Sequence, residues 1–181
     1  NHENTMSSLQ HLNTAFEKLA CADNLDDLLR RAVMALQDPL GFDRAAILLY
    51  DPARHLQIGT WGTDAQGRLR NEQGFYTPMA DDLIVHPDAE RVRYTDSAPL
   101  QDLGATVATG WQLQAAIFSD DALLGWIFVD NLLSQLPIAA DQCDIARTYA
   151  NVLGQLIRRN QIEDALIEGQ MASNRKMVLL A

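Results

Sequence analysis

Cysteine is scarce in this chain. Its 181 residues hold two thiols, Cys21 and Cys143, far apart and at no spacing that suits zinc or a redox pair. A disulfide framework is excluded, and a reducing, cytoplasmic setting is the simplest expectation. Positive charge is also short: Lys plus Arg number 14 against 24 Asp plus Glu, a formal net charge of −10. Such an excess repels phosphate backbones and anionic bilayers, so neither nucleic acid nor membrane is expected as a partner. Basic residues come in pairs at most (Arg30-Arg31, Arg158-Arg159, Arg175-Lys176). No apolar run approaches the roughly 18 residues that cross a bilayer. The start Asn1-His2-Glu3 has neither the basic region nor the apolar core of a signal peptide. A missing initiator Met is expected of a piece of a longer chain, or of a chain with a foreign remnant at its start.

The equipment of catalysis is missing too. There is no G-x-S-x-G, no phosphate-cradling GxxxxGK[ST] and no H-E-x-x-H. The four histidines, His2, His11, His55 and His86, form no metal spacing. Carboxylate pairs occur at Asp26-Asp27, Asp81-Asp82 and Asp120-Asp121. Neighbours on a helix point about 100° apart, and turns favour Asp for their own reasons, so the pairs read as helix starts and turns. The expectation is a chain with no catalytic and no metal-ligating residues, hence not an enzyme.

What is present is a pattern for one domain plus an extension. Leu9, Leu12, Phe16 and Leu19 recur at helical steps on a narrow seam. Asn24 is placed to cap a second helix, with Asp26 and Asp27 at the positive end of its dipole. Leu25, Leu28, Leu29, Ala32, Val33 and Leu36 share its broad face, and Pro39 and Gly41 stop it. Ala45 to Tyr50 is apolar at consecutive positions, as in a central strand covered on both faces. Asp51-Pro52 turns into a returning strand in which Leu56, Ile58 and Thr60 alternate with Gln57, Gly59 and Trp61. Residues 62–80 read as loop with one short strand. Over 81–110 the expectations are a short helix at Asp81–Val85, a strand at Arg91–Thr95 and a helical turn near Leu100–Val107. Leu113, Ala115 and Ile117 alternate with Gln112, Gln114 and Ala116, and a turn at 119–122 leads into the apolar strand Leu123–Val129, an antiparallel pair. From Ala140 onward no proline interrupts a long helix, rich in apolar residues to Ile157 and then thinning to Ile162, Leu166, Met177 and Leu180. So sparse a stripe calls for a second helix alongside.

Three stretches add to this order of elements: Leu40-Gly41-Phe42-Asp43-Arg44-Ala45-Ala46, then Leu124-Gly125-Trp126-Ile127-Phe128-Val129-Asp130-Asn131, then Pro137, Asp141, Ala150-Asn151 and Ile157. Together they resemble a GAF domain, the small-molecule sensing fold of signalling proteins, across roughly residues 20–160. The resemblance implies an α+β fold with a central antiparallel sheet flanked by helices on both faces. It divides the chain into an N-terminal dimerisation helix (1–20), the GAF domain (21–158) and a helical linker (159–181) to a downstream effector. First and last helices would form a bundle in a homodimer, weakened when Leu12 or Phe16 becomes Asp. Arg175-Lys176-Met177-Val178-Leu179-Leu180-Ala181 is similar to the stretch before the phosphoacceptor histidine of sensor histidine kinases, which implies a bacterial two-component protein; the same helix equally suits a cyclase, a second sensor domain or a DNA-binding effector downstream. The implied function is a non-catalytic sensor that binds a small ligand, dimerises, or does both, with a ligand-free docking module as the alternative.

The family's pocket lies over the sheet, roofed by the irregular middle. Its aromatic and polar candidates here are Trp61, Phe75, Tyr76, His86, Arg91, Arg93, Tyr94 and Trp111. Asn131 and Asp141 echo two members of the cyclic-nucleotide signature of some relatives, but Leu132–Ala139 lacks its lysine and phenylalanine. No Asp-Ile-Pro is present to hold a bilin, and neither cysteine suits its attachment. The ligand and any cofactor stay unassigned.

Overall fold

The computed structural model describes residues 2–181, with side chains described from residue 6 onward. The chain begins with two helices, α1 (His2–Ala20) and α2 (Leu25–Gln37). Asn24 caps α2 as its position predicts: its Oδ1 accepts from the Asp27 amide at 2.8 Å. Asp27 in turn receives the guanidiniums of Arg30 and Arg31, and these hydrogen bonds hold its carboxyl down at about 2. Gly41, at φ +81°, takes the left-handed backbone that turns the chain into the sheet.

Seven antiparallel strands follow: β1 (Arg44–Asp51), β2 (Leu56–Thr63), β3 (Leu69–Asn71), β4 (Tyr76–Pro78), β5 (Val92–Asp102), β6 (Ala105–Ser119) and β7 (Ala122–Asp130). They lie in the order β3-β2-β1-β7-β6-β5, with β4 pairing alongside β3 on the outer edge of β2. The last helix, α3, runs 39 residues from Gln142 to Leu180.

Alternation along the strands sorts side chains to two faces. Ala45, Ile47 and Leu49 of β1, Leu113, Ala115 and Ile117 of β6, and Ile127 and Val129 of β7 join the buried faces of all three helices in one core. Tyr149 anchors α3 there. Its hydroxyl donates to the Ala32 carbonyl at 2.7 Å, and burial pushes the phenol well up. A smaller cluster on the opposite face comprises Leu83, Ile84, Ala116, Phe118 and Trp126, backed by Leu48, Tyr50 and Phe128.

Four expectations are corrected. The helices all pack on one face; the other is covered by the segment around Met79–Ile84. That segment is not helical at Asp81–Val85, because side chains from the sheet take its backbone groups: Gln114 Oε1 accepts from the Ile84 amide (2.7 Å) and Trp126 Nε1 donates to the Ile84 carbonyl (2.8 Å). Leu100–Val107 is a β-hairpin instead of a helical turn. Leu103 and Gly104 both have positive φ (49° and 88°), the geometry of a two-residue hairpin loop. Leu12 and Phe16 belong to the core of the single chain: Leu12 is buried, and the Phe16 ring stacks on Tyr149 at 6.1 Å. Aspartate at either position would unfold the domain's own packing before it reported on a partner. Residues 62–80 also hold two short strands where one is expected.

Among the described residues no helix is long and apolar enough to cross a membrane. The close seating of α3 on β6 depends on Gly154, where a Cβ would come within 2.1 Å of the Phe118 carbonyl oxygen. Gly154→Ala should therefore lower stability by about 1–3 kcal/mol, the usual range for overpacking. Thermal unfolding checks this, and an unchanged Tm would refute the close seating.

Candidate ligand cavity

The sheet face away from the helices does not close completely. Between β1, β2, β5, β6 and the segment 72–83 lies a cavity of about 520 Å³, within the usual range for small-molecule sites. Its floor follows from strand parity. Arg44, Ala46 and Leu48 of β1 point into it, opposite in direction to Ala45 and Ile47, and Gln112 and Gln114 of β6 point the same way, opposite to Leu113 and Ala115.

Two arginines organise the polar groups. Arg44 and Asp130 are each only 5% exposed. The guanidinium meets the carboxylate through Nη2 (2.7 Å) and Nε (3.2 Å), and Nη2 also donates to the Gln101 carbonyl (3.0 Å). One side chain thus ties β1 to β7 and to β5. Arg70 on β3 is shared: Nη2 reaches Glu72 Oε2 at 2.7 Å and Asp102 Oδ1 at 2.5 Å. Burial raises the Glu72 carboxyl above its ordinary value, against the opposing hydrogen bond from Arg70. The bonds to Asp102 and Glu72 raise the guanidinium of Arg70 in turn. Gly62 makes room for this carboxylate, since a Cβ there would lie 2.1 Å from Glu72 Oε1.

Of the residues expected at a pocket, Phe75 lines the cavity. The others lie elsewhere. Trp61 faces the helices, with Nε1 donating to Asp26 Oδ1 (2.9 Å). Trp111 is buried in the helical core, its Nε1 on the Leu136 carbonyl (2.8 Å), and Tyr94 lies against its ring. Tyr76, His86 and Arg93 are exposed. Arg91 lies 4.1 Å over the Phe118 ring and bonds the Pro87 carbonyl. Among the polar residues that do line it, two signals were usable: glutamines at the alternate positions 112 and 114, and Arg44 heading an apolar strand. Among the described residues no group of three or more His, Cys, Asp and Glu could hold a metal. Asn131 serves the fold, accepting from the Trp111 amide and donating to the Leu136 carbonyl.

A seven-stranded antiparallel sheet, helices packed on one face and a roofed cavity on the other define the GAF fold. Solved structures agree. The GAF domain of a phosphoenolpyruvate-protein phosphotransferase from Coxiella burnetii superposes with a TM-score of 0.71 at 19% identity, covering 90% of this chain and 99% of that one. The corresponding Acinetobacter domain gives 0.68 at 15% identity, covering 87% and 97%. The phycoerythrobilin-bound GAF domain of a cyanobacterial phytochrome gives 0.61 at 17%, covering 88% and 99%. No protein-family model matches the chain, and no curated protein matches it in sequence. At these identities the likeness is one of fold.

Two predictions follow from the charges. Arg44→Met leaves Asp130 buried without its partner and should cost about 3–5 kcal/mol, much of it recovered in the double variant with Asp130→Leu; denaturant titration of the three proteins checks this. Glu72→Gln removes a charge that burial disfavours, so near neutral pH the variant should match or exceed the wild type in Tm. A carboxyl raised in the folded state binds its proton more tightly there, so the wild type gains on the variant as pH falls through the raised value toward the ordinary 4.5. A gap that instead widens in the variant's favour on acidification would contradict the burial argument.

Proposed function

We propose that this chain is a sensor or regulatory domain of a signal-transduction protein, non-catalytic in itself, that binds a small ligand in the cavity and passes the signal along α3. The observation that carries the reading is the division of labour across the sheet. One face is sealed by the helices, the other is open to a ligand, and the 39-residue α3 runs from the first face out of the domain. Residues 165–181 are exposed throughout, including Leu166 (69%), Ile167, Met171 and Met177. A helix of that length is marginal in water by itself and has apolar surface to bury. A second copy in parallel supplies it, making a homodimer whose linker helices (159–181) lead to an effector, of which a histidine kinase is the kind suggested by the final residues. Met6 and Leu9 of α1, near the start of α3, are exposed as well.

Ligand binding then acts by favouring one arrangement of the paired helices over another. An open cavity of this size supports ligand sensing over a docking module with a filled pocket. The reading places the protein in the cytoplasm. Sedimentation velocity tests the dimer. The wild type should sediment as two chains, and Leu166→Asp should weaken association at least tenfold with Tm and helix content of the single domain intact. A wild type that is monomeric at tens of micromolar would overturn the paired-helix mechanism.

A further inference from the structure

We propose that the cavity takes a small organic cation, an amine or guanidine, held by Glu72, Gln57 and Asp102. This names the ligand class for the site of the preceding reading and rests on it. Two guanidiniums, Arg44 and Arg70, face four carboxylates, Glu72, Asp82, Asp102 and Asp130. Arg44 is committed to Asp130 and to the Gln101 carbonyl, and Arg70 is divided between Glu72 and Asp102. The surplus charge is therefore negative, in a site partly withdrawn from water, where charges act more strongly than at the surface.

The hydrogen bonds still open point the same way. Glu72 is 9% exposed, and both bonds from Arg70 fall on Oε2; Oε1 accepts none among the described residues. Gln57 is 7% exposed, and its amide is oriented by Nε2 donating to the Pro78 carbonyl at 3.3 Å. Its Oε1 accepts none among the described residues and opens onto the cavity, outside the acidic cluster. Asp102 uses Oδ1 on Arg70 and keeps Oδ2. None of these oxygens is sealed away without a partner among the described residues; they open onto the cavity, where a cationic nitrogen with several N–H groups satisfies them while supplying the missing charge. An anion would meet four carboxylates with both arginines already engaged. The arginine Nη1 nitrogens remain for a neutral acceptor, such as a hydroxyl, on the same ligand.

Thermal unfolding with millimolar agmatine, 1,4-diaminobutane or succinate, at constant ionic strength, tests this. The two cations should raise the Tm of the wild-type chain saturably, and succinate should leave it unmoved. Glu72→Gln should weaken the cation effect at least tenfold with its circular dichroism unchanged. Asp102→Asn does the same should the first variant not fold, while Asp120→Asn at the distant turn should retain the full shift. A cation shift undiminished in both cavity variants would overturn the proposal. Succinate acting in place of the cations would overturn the ligand class and leave the sensor reading intact. No shift with any of the three would also overturn the ligand class, whereas the paired-helix reading falls only with the sedimentation result.

Discussion

The cavity side of this protein depends on the buried pair of Arg44 and Asp130. A charge withdrawn from water is tolerated only with a partner and with its remaining hydrogen bonds made. Arg44 has its partner in the bidentate Asp130 carboxylate and a further hydrogen bond to the Gln101 carbonyl, leaving only Nη1 to the cavity. Asp130 also accepts from the Leu132 amide, so the corner leaving β7 is fixed by the same group. A hydrophobic residue at position 44 would let this face fill like the other. With a guanidinium there, the floor stays polar and the segment above it has no reason to collapse onto it.

The opposite face shows what full closure looks like. Three helices cover it with aliphatic side chains, and α3 comes close enough at Gly154 to leave no room for a methyl group. The cavity face and α3 are separated by the thickness of one sheet. Ile117, on β6, packs with the helices, while its neighbours Ala116 and Phe118 pack with the segment at Leu83–Ile84. That segment is held at Ile84, whose amide donates to Gln114 Oε1 and whose carbonyl accepts from Trp126 Nε1.

Much of the fold was legible because its signals are local. The Asn24 cap, the consecutive apolar residues of β1, the alternation in β6 and the unbroken α3 each depend on a few adjacent residues. The short helix expected at Asp81–Val85 and the helical turn near Leu100–Val107 failed for a different reason. The first is displaced by Gln114 and Trp126, which lie 30 and 42 residues further on, and the second hinges on a positive φ at Leu103 that the side chain does not announce. The site was less legible still. Aromatic side chains drew attention to Trp61 and Trp111, yet both lie toward the helices: strand parity decides it for Trp111, and for Trp61 a bulge between Gly59 and Trp61 switches the face. Glu72 and Arg70 looked like solvated loop residues until β3 placed them against Asp102 from the far end of the sheet.

The proposed function requires a dimeric domain with a small molecule on the open face of its sheet. Native mass spectrometry of the protein purified gently from cells addresses it most directly. The account predicts a mass of two chains plus a small adduct. A bare single chain would contradict it.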